Sequence, residues 1–193
     1  MRGPTSHLLA AALAVALGAG AAAAHITPPV VLVSDRDALA GLLSGARRFF
    51  VREVRLTPQE RAAVEARSGW RPDEDLYRFY LGRDADGRLV AASIFVTEYT
   101  VHGPVRVAVA LGPDGTVRGA AVVELTEETY GWVKPLLDRN FTARLAGQAA
   151  GARAAVPADL EPMPHFYAEV IAGLVQRGAW LFAVAVLERG DAT

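Results

Sequence analysis

The segment 103–131 constrains the fold of this chain more than any other. Its first part alternates apolar residues with small or polar ones at Val105, Val107, Val109 and Leu111, the period-two pattern of a strand with one buried face. Pro113 and Gly115 then favour a tight turn, because Pro restricts φ and Gly tolerates positive φ. A second alternating strand follows, with one predicted face made of Val117, Gly119, Ala121 and Val123 and the other made of Arg118, Ala120, Val122 and Glu124. The segment therefore predicts an antiparallel hairpin.

Further strands are predicted before this hairpin. Residues 76–81 and 88–96 flank the turn sequence Asp84-Ala85-Asp86-Gly87, so they predict a second hairpin. Residues 49–56 alternate apolar side chains with Arg and Glu, as in a strand exposed on one side, and residues 30–33 could add an edge strand after Pro28-Pro29. We expect an antiparallel sheet of four or five strands.

Capping signals mark the helices. Ser34 or Asp35 starts a short helix through about residue 46, and Thr57-Pro58-Gln59-Glu60 is a capping box for a helix that ends near Ser68-Gly69. Helices are also predicted over residues 134–146 and 164–188. We expect Gly178 to break the last helix, so that residues 180–187 form either a further helix or a last strand. Strands followed by helices on the sheet predict an α+β domain.

The N-terminus has the pattern of a signal peptide. Arg2 precedes an apolar run over 8–20, and Ala22-Ala23-Ala24 offers a small-residue cleavage site before His25. We expect residues 1–24 to be removed and the protein to be exported, to a bacterial periplasm. The remainder is divided into a strand and helix extension over 25–75 and a main domain over 76–193.

Composition excludes several kinds of site. The chain has no cysteine, which excludes disulfides and iron–sulfur clusters. The formal net charge of −1 gives no reason to expect nucleic acid as a partner. The acidic run Asp73-Glu74-Asp75 is interpreted as solvated surface.

The sequence Glu128-Thr129-Tyr130-Gly131 comes directly after the second hairpin strand. Over residues 76–176 this order resembles the FMN-binding domain family, which includes flavin subunits of the sodium-translocating quinone reductase and of the Rnf electron-transport complex. The resemblance implies a domain of that fold in which Glu128, Thr129, Tyr130 and Gly131 form a loop beside the flavin. The alternative is that Thr126 or Thr129 simply caps the next helix, with Glu residues in its first turn.

Family members with covalent FMN carry a Ser-Gly-Ala-Thr motif whose Thr is esterified to the flavin phosphate. The corresponding region here reads Asp159-Leu160-Glu161-Pro162-Met163-Pro164-His165, which places His165 where the modified Thr would lie. Histidine cannot form that ester, so any FMN would be bound noncovalently. A phosphate contact at a helix start is one role for His165; the alternative is a His that faces solvent or packs under Trp180.

These observations give two hypotheses for function. The first is an exported electron-transfer or accessory module that holds FMN noncovalently and serves a membrane or periplasmic redox complex. The second is a flavin-free descendant of the same fold that acts as a binding or assembly module. Both hypotheses favour a non-catalytic electron-transfer or accessory protein over an enzyme.

Overall fold

The computed structural model describes residues 28–190. The expected signal peptide and its cleavage site lie outside the described residues. One antiparallel sheet of six strands forms the centre, in the order β1-β6-β5-β4-β3-β2. Its strands are β1 (Pro29–Val31), β2 (Arg48–Val54), β3 (Tyr77–Arg83), β4 (Leu89–Thr100), β5 (Gly103–Leu111) and β6 (Val117–Thr126).

Helices cover both faces of this sheet. They are α1 (Asp35–Leu42), α2 (Pro58–Ser68), α3 (Glu127–Asp138) and α4 (Pro162–Phe182), with a 3₁₀ turn at Phe141–Leu145 and a π-helical turn at Ala183–Leu187. The main core lies between the sheet and α2, α3 and α4, whereas Ala38 of α1 packs with Ala108 and Val123 on the opposite face. The α+β class is confirmed.

The strand count of four or five was wrong. Both N-terminal segments join the sheet: β1 pairs with β6 at one edge, and β2 pairs with β3 at the other. An edge strand needs only one partner, and the sequence pattern of residues 48–54 does not say where that partner lies. Residues 28–75 thus supply both edges of the sheet.

The predicted faces of β6 were also partly wrong. Val117 and Val122 both lie in the main core, although strict alternation puts them on opposite faces. The pairing of β5 with β6 shifts register between Ala110 and Leu111 and again between Arg106 and Val107. A bulge adds one unpaired residue and so reverses the alternation, which single-strand periodicity cannot reveal.

The third helix begins earlier than predicted. It starts at Glu127 rather than near Lys134, so Glu128 to Gly131 lie within its first five residues and do not form a loop. Thr126 caps it, with an extended backbone and a side chain that accepts a hydrogen bond from the Thr129 N–H. Gly131 and Pro135, both poor helix residues, lie inside the helix and obscured it in the sequence.

The last helix is longer than predicted because Gly178 does not break it. A Cβ at Gly178 would lie 3.3 Å from atoms of Ile94 and Val109, so the glycine lets α4 lie directly on β4 and β5. The stretch Pro162–Leu187 is long and apolar enough to span a membrane, but most of it is buried inside the protein. It is the central core helix of the domain.

Candidate functional site

The four residues that the resemblance places beside a flavin, Glu128 to Gly131, take different positions at the start of α3. Thr129 is fully buried, and its hydroxyl donates to the Thr126 carbonyl over 3.0 Å and accepts from the Thr126 N–H over 3.2 Å. Glu128 and Tyr130 are exposed, and a Cβ at Gly131 would meet no atom within 4 Å. Thr129 therefore serves the helix cap, as the alternative interpretation holds, and cannot present its hydroxyl to a ligand.

Glu128 is held by a histidine that sequence reasoning did not select. His102 lies in the turn between β4 and β5, and its Nδ1 is 2.9 Å from Oε1 of Glu128. The His102 carbonyl also accepts a hydrogen bond from the Thr126 hydroxyl over 2.7 Å. The turn after β4 thus binds the first turn of α3 through both side chain and backbone.

An aromatic stack continues from His102 toward α4. Its ring lies edge-on to Trp132, with 4.8 Å between the centroids, and Trp132 stacks on Tyr167 at 5.8 Å with an interplanar angle of 13°. The Tyr167 hydroxyl lies 3.4 Å from that of Thr100, and burial raises the pKa of Tyr167. The starts of α3 and α4 meet across these rings.

His165 lies in the first turn of α4 and is half-exposed. Its Nε2 is 3.7 Å from Oε1 of Glu169, an i,i+4 pair on the same helix face. Its backbone N–H already donates to the Glu161 carbonyl over 2.9 Å. The structure shows no contact that brings the side chains of His165 and Glu128 together within the part of the chain it describes.

The start of α4 is also a poor phosphate site. A helix N-terminus binds anions through backbone N–H groups that have no helical partner. Here Pro162 and Pro164 have no N–H at all, and the His165 N–H is taken by Glu161, so Met163 alone is left to donate within 162–165. The residues that the resemblance assigns to FMN therefore do not form a fitting cradle for its phosphate or its polar edge.

A cleft of about 580 Å³ opens at another place on the main-core face of the sheet. It is lined by Trp70, Asp73, Glu74, Tyr77, Val96, Thr97, Glu98, Tyr99, Leu174 and Arg177. We call it the Trp70 cleft. The segment between α2 and β3, the outer half of β4 and the middle of α4 supply its walls, and none of the five predicted site residues lines it.

Charged and aromatic groups are held in fixed positions around the Trp70 cleft. The Arg177 guanidinium contacts the Glu98 carboxylate and stacks over the Trp70 ring, 5.1 Å from its centroid. Arg61 donates two hydrogen bonds of 2.8 Å to the carbonyls of Pro72 and Glu74. These contacts fix the 70–74 segment without using its carboxylates.

Burial changes the acidity of two groups in this wall. It raises the pKa of Glu74, with Asp73 adding a repulsive charge, and it raises the pKa of Tyr77 to about 12. Because Arg177 is paired with Glu98, the remaining cleft carboxylates of Asp73 and Glu74 give the Trp70 cleft a net negative charge. A cation bound there would lower the electrostatic energy of both carboxylates.

Asp73, Glu74 and Asp75 are exposed, as the interpretation of this run as solvated surface holds, but that interpretation gave no reason to look for a cleft beside them. A signal was present: two aromatic residues, Trp70 and Tyr77, flank the acidic run within a few positions. The other wall comes from β4 and α4, which only the folded chain brings alongside. Within residues 28–190 no group of three or more His, Cys, Asp or Glu side chains is arranged to hold a metal ion.

Comparison with known proteins adds no assignment. No family model matches the chain, and no curated protein matches it significantly.

Proposed function

We propose that the protein is a non-catalytic binding module, a flavin-free relative of the FMN-binding domain fold, whose ligand site is the Trp70 cleft. One observation carries this proposal. Among the groups expected to contact flavin, Thr129 and Glu128 are engaged within the protein, and the start of α4 has few free N–H groups. The Trp70 cleft, in contrast, combines ligand-sized space with aromatic and charged side chains. Small-molecule sites are concave, with apolar and aromatic walls and a few polar groups that orient the ligand.

The chemistry of the cleft favours an organic cation as ligand. The aromatic residues Trp70, Tyr77 and Tyr99 and the acidic residues Asp73 and Glu74 line the same space. Cations are attracted to aromatic faces, and the attraction strengthens when water is displaced. Tyr99 is 80% exposed, so a ligand that covers its ring also buries apolar surface.

The setting we propose is outside the cytoplasm, where the protein would assist a membrane or periplasmic redox complex. The N-terminal sequence pattern and the family resemblance support this setting. The alternative is an electron-transfer module with noncovalent FMN. The open space beside Gly131 and the nearby stack of Trp132 on Tyr167 are the observations that favour it.

One titration separates these functions. ¹⁵N-labelled protein is titrated with FMN and, separately, with benzyltrimethylammonium, using benzyl alcohol as the neutral control. We expect the cation to shift amide signals around 70–77 and 96–99 saturably, benzyl alcohol to do so more weakly, and FMN to produce no saturable shift up to millimolar concentration.

Two variants test the proposed contacts. Glu74→Gln and Tyr99→Ala should each weaken cation binding about 3- to 10-fold, as loss of a contact worth roughly 1 kcal/mol implies. Val101→Ala, at a 94% exposed position of the next turn, is the matched control and should leave binding unchanged. Saturable FMN binding with shifts around 128–132 would establish the electron-transfer alternative instead. Equal shifts with benzyl alcohol would show that the charge of the ligand does not contribute to binding.

A further inference from the structure

The Trp70 cleft already contains a cation that belongs to the protein. The guanidinium of Arg177 lies over the Trp70 ring, 5.1 Å from its centroid, and its Nη1 donates to the Glu98 carboxylate. All three residues line the cleft. An aromatic ring and a carboxylate are groups that bind a planar guanidinium well. This part of the cleft is therefore suited to a cation, and Arg177 occupies it.

Few contacts hold Arg177 in this position. Within residues 28–190, its guanidinium has polar or ring contacts with Glu98 and Trp70 alone. The side chains of Arg177 and Glu98 are 25% and 32% exposed, so water reaches both. The guanidinium can therefore leave the Trp70 ring with the loss of one ion pair and one ring contact.

A ligand that displaces Arg177 has to replace both of these contacts. The Glu98 side chain is mostly shielded from water, and a carboxylate of this kind that loses its donor destabilises the complex. An amidinium or guanidinium group supplies charge, N–H donors and a flat face, so it can bond to Glu98 and stack on Trp70. A quaternary ammonium group has the charge but no N–H group, so it would leave Glu98 unpaired.

We propose that Arg177 competes with the ligand for the face of Trp70, and that the ligand is an organic cation whose amidinium or guanidinium group takes the place of Arg177. This inference rests on the proposed function and names its ligand class. Because the free protein keeps the position filled, the apparent affinity is that of the open site reduced by the fraction of molecules in which Arg177 has moved away. A cation without N–H groups binds beside Tyr99 and Glu74 while Arg177 stays in place.

Two probes and one variant test this competition. Isothermal titration calorimetry measures the binding of benzamidinium and of benzyltrimethylammonium to the wild-type protein and to Arg177→Met, which keeps a long side chain without the charge. Loss of Arg177 adds one negative charge to the cleft, which attracts both probes, so the ratio of the two affinities is the readout. We expect the ratio in favour of benzamidinium to rise about 3- to 10-fold, the effect of one cation–aromatic contact.

Arg67→Met is the matched control. Arg67 also pairs with a glutamate, Glu188, and also lies over a tryptophan ring, 5.5 Å from the centroid of Trp180, but none of these three residues lines the cleft. This variant should leave the ratio unchanged. An equal rise in both variants, or no rise in Arg177→Met when the wild-type protein binds benzyltrimethylammonium, overturns the inference and leaves the proposed function standing. Absence of binding of either probe to the wild-type protein and to Arg177→Met overturns the proposed function and this inference with it.

The wild-type protein gives a second readout that does not depend on the variant. In ¹⁵N spectra, saturating benzamidinium should shift the Arg177 Nε–H signal and the Trp70 indole N–H signal, because the guanidinium leaves the ring. Saturating benzyltrimethylammonium should leave the Arg177 signal in place. An Arg177 signal that does not move with benzamidinium, or that moves equally with both probes, overturns the inference.

Discussion

Single residues stabilise this domain chiefly by joining segments that are distant in sequence. Arg106 in β5 forms a bidentate pair with Asp35 at the start of α1, at 2.6 and 2.8 Å, and lies over the Phe95 ring. This pair lowers the pKa of Asp35. Near the C-terminus, Arg189 contacts Glu60 in the first turn of α2. Both pairs attach a helix N-terminus to the rest of the protein.

Glu60 gives a pH-dependent prediction. Hydrogen bonds from Arg189, with a further one from the Thr57 N–H, lower the pKa of Glu60 from 4.5 to about 2. A lowered pKa in the folded state stabilises the protein fully above pH 4.5, and this contribution is lost as the pH falls from 4.5 toward 2. Solvent screening keeps it at about 1–2 kcal/mol at neutral pH.

We therefore expect Glu60→Gln to lower the free energy of unfolding by that amount at pH 7 and to have less effect at pH 2.5. Urea denaturation at several pH values measures it. Glu65→Gln, a change at an exposed position of the same helix, is the control. An equal effect of Glu60→Gln at both pH values would show that its charge does not contribute.

At the scale of the element, α4 organises the main core. It packs on β4, β5 and β6 and also against α2 and α3. Tyr167, Ile171, Leu174 and Val175 of this helix are all buried. Its two inner glycines have opposite surroundings: Gly178 faces the sheet, and a Cβ at Gly173 would meet nothing within 4 Å.

These two glycines form a matched pair for mutation. Gly173→Ala should stabilise the protein by about 0.5–1 kcal/mol, because alanine is the better helix residue and the site has room. Gly178→Ala gains the same propensity but forces Ile94 and Val109 to move in a packed core, which typically costs about 1–3 kcal/mol. Thermal denaturation should thus rank Gly173→Ala above wild type and above Gly178→Ala. A stabilising Gly178→Ala would mean that the strands yield easily at this contact.

At the scale of the whole molecule, the sheet is covered unevenly. Strands β4, β5 and β6 lie beneath helices on both faces, whereas β1 and β2 form its edges. Amide hydrogen exchange follows local opening, which is rarest where both faces and both neighbours are packed. The interior strands and the edges should therefore exchange at different rates.

Hydrogen exchange followed by mass spectrometry tests this expectation. Peptides from β5 and the facing turns of α4 should be the slowest to exchange, and peptides from β1 the fastest of the strands. Peptides from β2, the strand at the other edge, should also exchange faster than peptides from β5. Exchange of β5 at the rate of β1 would contradict a core in which helices cover both faces of the inner strands.

The sequence alone determined what depends on neighbours in the chain. The Thr57–Glu60 capping box, the two hairpins and the α+β class are confirmed, because caps and turns are made by residues a few positions apart. Tertiary structure decided the sheet edges, the reversed faces of β6 and the role of Glu128. That carboxylate meets His102, 26 residues away, and Arg177 meets Glu98, 79 residues away. Side-chain contacts over such separations depend on strand order and register, which bulges and packing set in the folded chain and which local periodicity does not encode.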